Sequence, residues 1–323
     1  MDQSLPSASV IVPAYGAAPW LGEALASLQA QTMSHWEALV VDDGDGAIAG
    51  AVESFAEDKR IRLIETGHGG ASTARNHGIA LARAPFIAML DGDDRYQPEY
   101  LELMLNAIRA DPRLGFVTCD ARLFGAPQFD GKLFSEVEPQ VGEISLERVV
   151  RREYKVFGSS TVRRDVLAAV GGYDEALVSA EDMDLWIRIL AAGWRAARVD
   201  RPLVDYRRRA GSLSANSLSL IRAGVSMYEK SVRLLAGRPE ERAAREMLAR
   251  AQEQLRGEEG LAAVVQGRTK EGLALLRASD LPRRSPKWRL ALTAFRLFPP
   301  LAKPVLRFYS RRHPFFQEQA GAS

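Results

Sequence analysis

Phe86-Ile87-Ala88-Met89-Leu90-Asp91-Gly92-Asp93-Asp94 joins five apolar residues to a turn that carries three aspartates. An apolar run of this length, closed by a turn, reads as a strand buried on both faces, as in a parallel sheet. The carboxylates stand where the strand ends, and an open α/β sheet presents its ligand groups at the carboxyl ends of its strands. The same pattern recurs around it. Residues 8–12 read as a strand followed by Trp20, Leu21, Ala24, Leu25 and Leu28 at helical spacing, with Pro19 at the helix start. Residues 38–41 run into Asp42-Asp43-Gly44 and then a helix over 48–55; 61–64 is a strand and 71–82 a helix. Pro98 opens a helix with Tyr100, Leu101, Met104, Leu105 and Ile108 on one face. The alternation predicts an α/β fold, a mostly parallel Rossmann-like sheet flanked by helices.

Beyond Leu114 the pattern loosens. Strands are expected over 114–124, 129–137, 157–162, 195–199 and 203–207, with a helix over 181–192 stopped by Gly193. From about Ser214 onward the spacing is helical, over 218–235, 240–255, 261–266 and 269–276. The expected division is a sheet-bearing domain over 1–215 and a helical C-terminal extension over 216–323.

Hydrophobic residues make up 46% of the chain and charged residues 26%, values of a globular protein that exclude collagen, coiled-coil and disordered classes. The single Cys119, in Phe116-Val117-Thr118-Cys119, reads as a small buried side chain and points to a reducing compartment. Met1-Asp2-Gln3 lacks the basic start of a secretory signal, and Pro6, Pro13 and Pro19 interrupt the uncharged opening, so a cytoplasmic protein is expected. Net charge is +2, yet residues 281–323 hold nine Lys and Arg against Glu318 alone, which leaves the rest of the chain acidic. Within 286–312, two short basic amphipathic helices broken at Pro299-Pro300 fit two readings. One is peripheral contact with an anionic membrane face; the other is a pair docked on the protein with its Arg tips in solvent. Without a nucleic-acid-binding signature, the basic tail does not point to nucleic acid.

Each acidic cluster also has two readings. Asp91, Asp93 and Asp94 can hold Mg²⁺ or Mn²⁺ against a diphosphate, or form a turn in which Asp94 caps the next helix. A calcium loop is set aside because Tyr96 stands where its glycine is needed. Asp43 can accept from a base or ribose, or serve a polar turn. Gly67-His68-Gly69-Gly70 followed by Arg75 offers backbone donors and a guanidinium suited to phosphate; His68 and His77 read as solvent-facing or packing residues. Glu181-Asp182 opens a helix where a carboxylate can act as a general base, or where Ser179 to Asp182 forms a capping box.

Taken in order, Val10-Ile11-Val12-Pro13-Ala14-Tyr15, Val40-Val41-Asp42-Asp43-Gly44, Ala74-Arg75-Asn76-His77-Gly78, Leu90-Asp91-Gly92-Asp93-Asp94, Gly171-Gly172-Tyr173-Asp174-Glu175 and Glu181-Asp182-Met183-Asp184-Leu185-Trp186 resemble a family 2 glycosyltransferase of the GT-A fold. The resemblance covers about residues 8–215. It implies an inverting, metal-dependent transfer of a sugar from a nucleotide-sugar donor, most often a UDP-sugar, to a saccharide or lipid-linked acceptor. It assigns donor binding to Pro13, Tyr15, Asp43, Arg75 and Asp91, metal binding to Asp93 with Asp94 adjacent, and the catalytic base to Asp182. Gly172, Tyr173, Asp174, Glu181 and Trp186 fall on the acceptor side. Mn²⁺ or Mg²⁺ is the implied cofactor.

The chain departs from the family pattern in two places. Asp43-Gly44-Asp45-Gly46-Ala47 replaces the common Asp-Gly-Ser-Thr-Asp. Arg209 stands where many members place a histidine. The Gln-x-x-Arg-Trp of processive synthases is missing, so a non-processive enzyme is expected. Two rivals are a non-catalytic nucleotide-sugar-binding protein and a sugar-phosphate nucleotidylyltransferase. The latter should carry a Gly-rich, Arg-bearing loop where Pro13-Ala14-Tyr15 stands.

Overall fold

A computed structural model describes residues 5–209 and 217–312; the expected start Met1-Asp2-Gln3 and Glu318 lie outside them. The chain divides into two compact units, Met1–Arg209 and Ala210–Ser323.

In the first unit the strands are Ala8–Pro13 (β1), Trp36–Asp42 (β2), Ile61–Glu65 (β3), Phe86–Met89 (β4), Arg95–Tyr96 (β5), Leu114–Phe124 (β6), Thr161–Arg163 (β7) and Arg195–Arg207 (β8). The helices are Ala18–Gln29 (α1), Ile48–Glu53 (α2), Ala71–Leu81 (α3), Tyr100–Ala110 (α4), Phe134–Val137 (α5), Leu146–Val150 (α6), Arg164–Val170 (α7) and Glu181–Ala191 (α8). The sheet order is β3-β2-β1-β4-β7-β6-β8-β5. β3, β2, β1 and β4 are mutually parallel, β7 enters antiparallel to both β4 and β6, and β5 closes antiparallel on β8. The expected parallel sheet is therefore a parallel half joined to a mixed half.

All seven residues of β2 are buried, which explains why its centre, residues 38–41, reads as an apolar run rather than an alternation. β1 pairs with β2 on one side and β4 on the other, so Pro13, Asp42 and Met89 end along one edge. The chain reverses direction across the sheet between β1 and β4, and the crevice at such a point is where open α/β sheets bind ligands. Helix α3 lies close on this half. A Cβ on Gly78 would stand 2.5 Å from Ile11 Cγ2 and 3.3 Å from Val41 Cγ2, so only glycine permits the approach.

Several expected elements differ. Residues 129–137 form a turn and the short α5 rather than a strand, because the Asp120 carboxylate accepts from Ser135 N (3.1 Å) and Ser135 Oγ (2.5 Å) and curls the segment. The strand expected over 157–162 is confined to Thr161–Arg163; before it, Ser160 Oγ donates to Phe157 O at 2.6 Å and bends the backbone. The two late strands are one, β8, with irregular pairing opposite Cys119, Asp120 and Ala121.

In the second unit the helices are Ser217–Leu234 (α9), Glu241–Val265 (α10), Thr269–Ala278 (α11), Leu281–Arg284 (α12), Pro286–Leu297 (α13) and Ala302–Arg312 (α14), with a 3₁₀ turn at Pro299–Leu301. The break expected after Leu255 is absent because Gly260 is a packing residue: its would-be Cβ meets Leu276 at 2.8 Å and the Gly272 carbonyl at 3.0 Å, where α11 crosses. Leu292, Phe295, Ala302 and Leu306 of the tail are buried against Leu261, Val264, Leu273 and Leu276. One face of the helix pair is thus docked on its own unit, while Leu290, Leu297, Phe298, Leu301 and Val305 remain exposed on the other. The side chains of Phe308 and Arg311 lie outside the described residues. Among the described residues no helix is long and apolar enough to cross a membrane.

Gly78→Ala is expected to lower stability although alanine favours helix, because overpacking against a strand costs about 1–3 kcal/mol against roughly 1 kcal/mol of propensity gained. Gly50→Ala in α2, with open space around it, should be neutral or stabilising. Urea midpoints of the two variants check this.

Candidate active site

Along the carboxyl edge, β1 ends in Pro13, whose carbonyl accepts from Gly92 N at 3.3 Å. A side chain at position 92 would strike Ala17 Cβ at 2.9 Å, so the acidic turn and the start of α1 meet only through glycine. Tyr15, 58% exposed, packs its ring 4.5 Å from that of His68, and the pair forms an open aromatic shelf at the crevice. Asp43 is buried beneath it. Its Oδ1 accepts from Gly69 N (2.7 Å) and its Oδ2 from Gly70 N (2.8 Å), so it anchors the Gly-rich loop and the entrance to α3. Asp45 extends the edge by accepting from Gly16 N at 2.8 Å.

One turn into α3, the buried Arg75 guanidinium donates through Nη2 to Asp91 (2.9 Å) and through Nη1 to Glu181 (2.7 Å). Burial works against its charge, but Asp91, Asp182 and Glu181 together hold it firmly protonated. Its neighbour Asn76 was quoted in the sequence pattern without a role, and the fold supplies one. Asn76 Nδ2 donates to Tyr173 O (2.9 Å) and Glu175 Oε1 (2.8 Å), and its Oδ1 accepts from Tyr173 N (2.9 Å). Gly172, at φ +68°, leaves room for that oxygen, which a Cβ would meet at 2.6 Å. Helix α3 therefore clamps the Gly172 to Asp174 loop against its own side of the crevice.

Helix α8 does not begin with the expected capping box. Ala180 precedes it in a left-handed conformation (φ +62°) with no side-chain cap, Ser179 Oγ has no partner, and Glu181 turns to Arg75 instead. A non-glycine residue held there is strained, and such strain gathers at functional sites. The entry aims Asp182 at Gly158, whose would-be Cβ lies 2.9 Å from Asp182 Oδ2. No sequence signal marks Gly158. Burial pushes the Asp182 carboxyl up to about 7; Arg75 pulls it down, and the negative charges of Glu181 and Asp91 push it further up. The Tyr173 hydroxyl lies in the same pocket, buried without a well-formed hydrogen bond.

Two expected site residues are corrected. Trp186, placed on the acceptor side, is buried against Phe116 with ring centroids 4.5 Å apart, one turn deeper along α8 than Asp182 and within the core. Asp94, expected as a metal ligand or helix cap, turns inward: Oδ1 accepts from Arg207 N at 2.8 Å, and α4 begins at Tyr100 without a side-chain cap. The rest of the acidic turn is also engaged. Asp93 Oδ2 accepts from Arg209 Nε at 2.7 Å, and Asp91 is held by Arg75. Among the described residues no three His, Cys, Asp or Glu side chains gather to hold a metal ion. As arranged, the expected ligands do not fit a divalent cation.

Residues 9–135 match the model of glycosyl transferase family 2. The succinoglycan biosynthesis protein ExoO of Rhizobium meliloti is 32% identical over 223 residues, which are 65% of this chain and 63% of that protein. The chain spans from 16% to 74% of the length of the first curated relatives it matches. The structure of Staphylococcus aureus TarS 1-349 in complex with UDP-GlcNAc superposes with a TM-score of 0.61 at 20% identity, covering 84% of both chains. The mannosyltransferase PcManGT from Pyrobaculum calidifontis, solved with GDP-Man and Mn²⁺, superposes at 0.55 with 21% identity over 96% of this chain and 89% of that one. These likenesses establish the GT-A fold.

The raised Asp182 carboxyl carries a stability signature. The unfolded carboxyl ionises near 3.8 and the folded one at about 7, so between those values the folded state keeps a proton the unfolded state has lost. Stability from this group is complete below the lower value and is lost as pH rises through the window. Asp182→Asn removes the titration. Its melting temperature relative to wild type should climb from about pH 4 to about pH 8, whereas a constant difference would refute the raised value.

Proposed function

We propose that the protein, whose residues 9–135 match the model of glycosyl transferase family 2, is an inverting, non-processive glycosyltransferase. It moves a sugar from a nucleotide-sugar donor to an acceptor hydroxyl. One observation carries the reading. Asp182 stands at the crevice edge beside the Arg75, Asp91 and Glu181 cluster, and burial there pushes its carboxyl up to about 7. A base with such a value is ionised often enough to act and basic enough to take a proton.

In the proposed step, Asp182 removes the proton of the acceptor hydroxyl while its oxygen bonds to the anomeric carbon. The bond from that carbon to the phosphate oxygen breaks, and the electron pair leaves with the nucleoside diphosphate. The proton ends on Asp182. A single displacement inverts the anomeric centre, and it needs one carboxylate at the reacting carbon rather than the pair a glycosidase uses. Glu181 is engaged with Arg75, consistent with a single base. Arg75 supplies fixed positive charge where the leaving diphosphate gains negative charge. The Tyr15 and His68 shelf above Asp43 offers a stacking surface for the base. UDP-sugars are the first donors to assay, with GDP-sugars second, given the ligands of the TarS and PcManGT structures. Mn²⁺ belongs in the assay because PcManGT was solved with it.

The relationship to ExoO favours a growing polysaccharide, saccharide or lipid-linked, as acceptor. The outward face of α13 and α14 favours a membrane setting. Leu290, Leu297, Phe298 and Leu301 are all more than half exposed there, in a tail whose residues 281–312 carry nine Lys and Arg and no acid. Apolar side chains set among basic ones suit the surface of an anionic bilayer on the cytoplasmic side.

Asp182→Asn should abolish most transfer while leaving calorimetric binding of the nucleoside diphosphate within about threefold of wild type, since the base acts in the transition state. Transfer at wild-type rate in this variant overturns the assignment. The membrane setting predicts co-sedimentation of the full chain with phosphatidylglycerol vesicles, weaker on phosphatidylcholine and at high salt. Leu297→Glu combined with Phe298→Glu should abolish it. Equal binding by the double variant, or a wild type that only self-associates, overturns the membrane contact.

A further inference from the structure

Each of the three aspartates in the acidic turn faces an arginine of its own. Asp91 takes Arg75, Asp93 takes Arg209, and Asp94 takes the Arg207 backbone N–H and lies near that residue's charge. The second pairing is the unexpected one, because Arg209 stands where many members of the resembled family place a histidine.

Its position is set by more than a surface side chain settling on a nearby acid. Strand β8 reaches the turn through pairing with β5, Arg95 opposite Asp205 and Tyr96 opposite Val204. Arg207 then fixes the exit of β8 by donating its backbone N–H to Asp94 (2.8 Å), Nε to the Asp93 carbonyl (2.9 Å) and Nη2 to Glu23 (2.8 Å). Two residues on, Arg209 lies with its guanidinium carbon 4.5 Å from the centre of the Trp20 ring while Nε holds Asp93 at 2.7 Å. A carboxylate on one edge and an aromatic face against the plane fix the group's orientation. Among the described residues both Nη groups remain without a hydrogen bond, at the partly exposed end of the side chain.

The chemistry of the exchange matters. A neutral histidine offers a lone pair to a metal ion; an arginine offers none and does not lose its proton. A divalent cation brought to Asp93 would meet a fixed positive charge already paired there. A diphosphate would meet an oriented planar fork of N–H donors that matches phosphate oxygens.

We propose that Arg209 binds the donor diphosphate directly, with Asp93 as its positioning counter-ion, and that this chain therefore holds its donor without a divalent cation. The inference rests on the nucleotide-sugar reading and extends it to the way the phosphates are held. Arg209 is in this account a binding residue, and Asp93 acts through it.

Calorimetric titration of the full chain with UDP and with GDP, first in EDTA and then in Mn²⁺, tests this. Wild type should bind one of the two in EDTA, with Mn²⁺ changing the affinity by less than about threefold, under 1 kcal/mol. Arg209→Ala should weaken binding in EDTA roughly ten- to a hundredfold, the scale of a charge-assisted hydrogen-bonded pair. Arg209→His should bind weakly in EDTA and recover in Mn²⁺. Arg209→Lys, which keeps the charge without the fork, should fall between wild type and alanine, and separates loss of the contact from loss of the fold. Binding by wild type only when Mn²⁺ is present, or unchanged binding by Arg209→Ala in EDTA, overturns the inference and leaves the transferase reading standing. No binding of either nucleotide under any condition overturns the nucleotide-sugar reading and this inference with it.

Discussion

The Arg75 guanidinium is the constraint on which the site depends. A buried cation is tolerated only when carboxylates surround it, and here they come from two segments far apart in the chain: Asp91 from the turn after β4 and Glu181 from the start of α8. The pairing ties together two segments that secondary structure alone would leave independent. It also sets the field in which Asp182 titrates, because the same cation that pulls its value down is already shared with two other acids. Asn76, the next residue of α3, repeats the link in neutral form by clamping the Tyr173 loop. Helix α3 is thus the beam that joins the acidic turn after β4 to the Tyr173 loop and the start of α8, and Gly78 lets it lie close enough to the sheet to do so.

Five aspartates at the crevice share one side chain and have five different situations. Asp43 is spent on two backbone N–H groups, Asp91 on Arg75, Asp93 on Arg209 and Asp94 on the β8 backbone. Burial and like-charged neighbours push Asp182 up to about 7, and they also raise Asp93 and, further, Asp94. The difference is one of surroundings. Hydrogen bonds to a carboxylate favour its charged form, and burial among like charges favours the neutral one.

The parallel half of the fold was legible because its strands are buried on both faces and its helices keep a 3.6-residue period, both visible in residues 8–108. The site edge was legible for the same reason, since Asp42-Asp43 and Asp91 follow the apolar runs directly. What was not legible came from distant contacts. Residues 129–137 have strand composition, but Asp120 curls them; Gly260 looks like a helix break, but α11 fills the space. Trp186 sits in the matched pattern beside Asp182, yet on α8 it turns to the core. Ser179 and Glu181 have the spacing of a capping box, but Arg75 offers Glu181 a stronger partner than a backbone amide.

The sequence by itself determined the α/β class, the order of the acidic turns along one edge and the charge asymmetry of the tail. These follow from local periodicity and from which residue types stand at strand ends, properties that need no knowledge of distant neighbours. Tertiary structure decided which carboxylates are free, paired or raised, where the tail turns its apolar side chains, and that Arg209 meets Asp93. Each of these depends on two segments far apart in the chain arriving within a few ångströms, and electrostatic and hydrogen-bond energies change steeply over that distance.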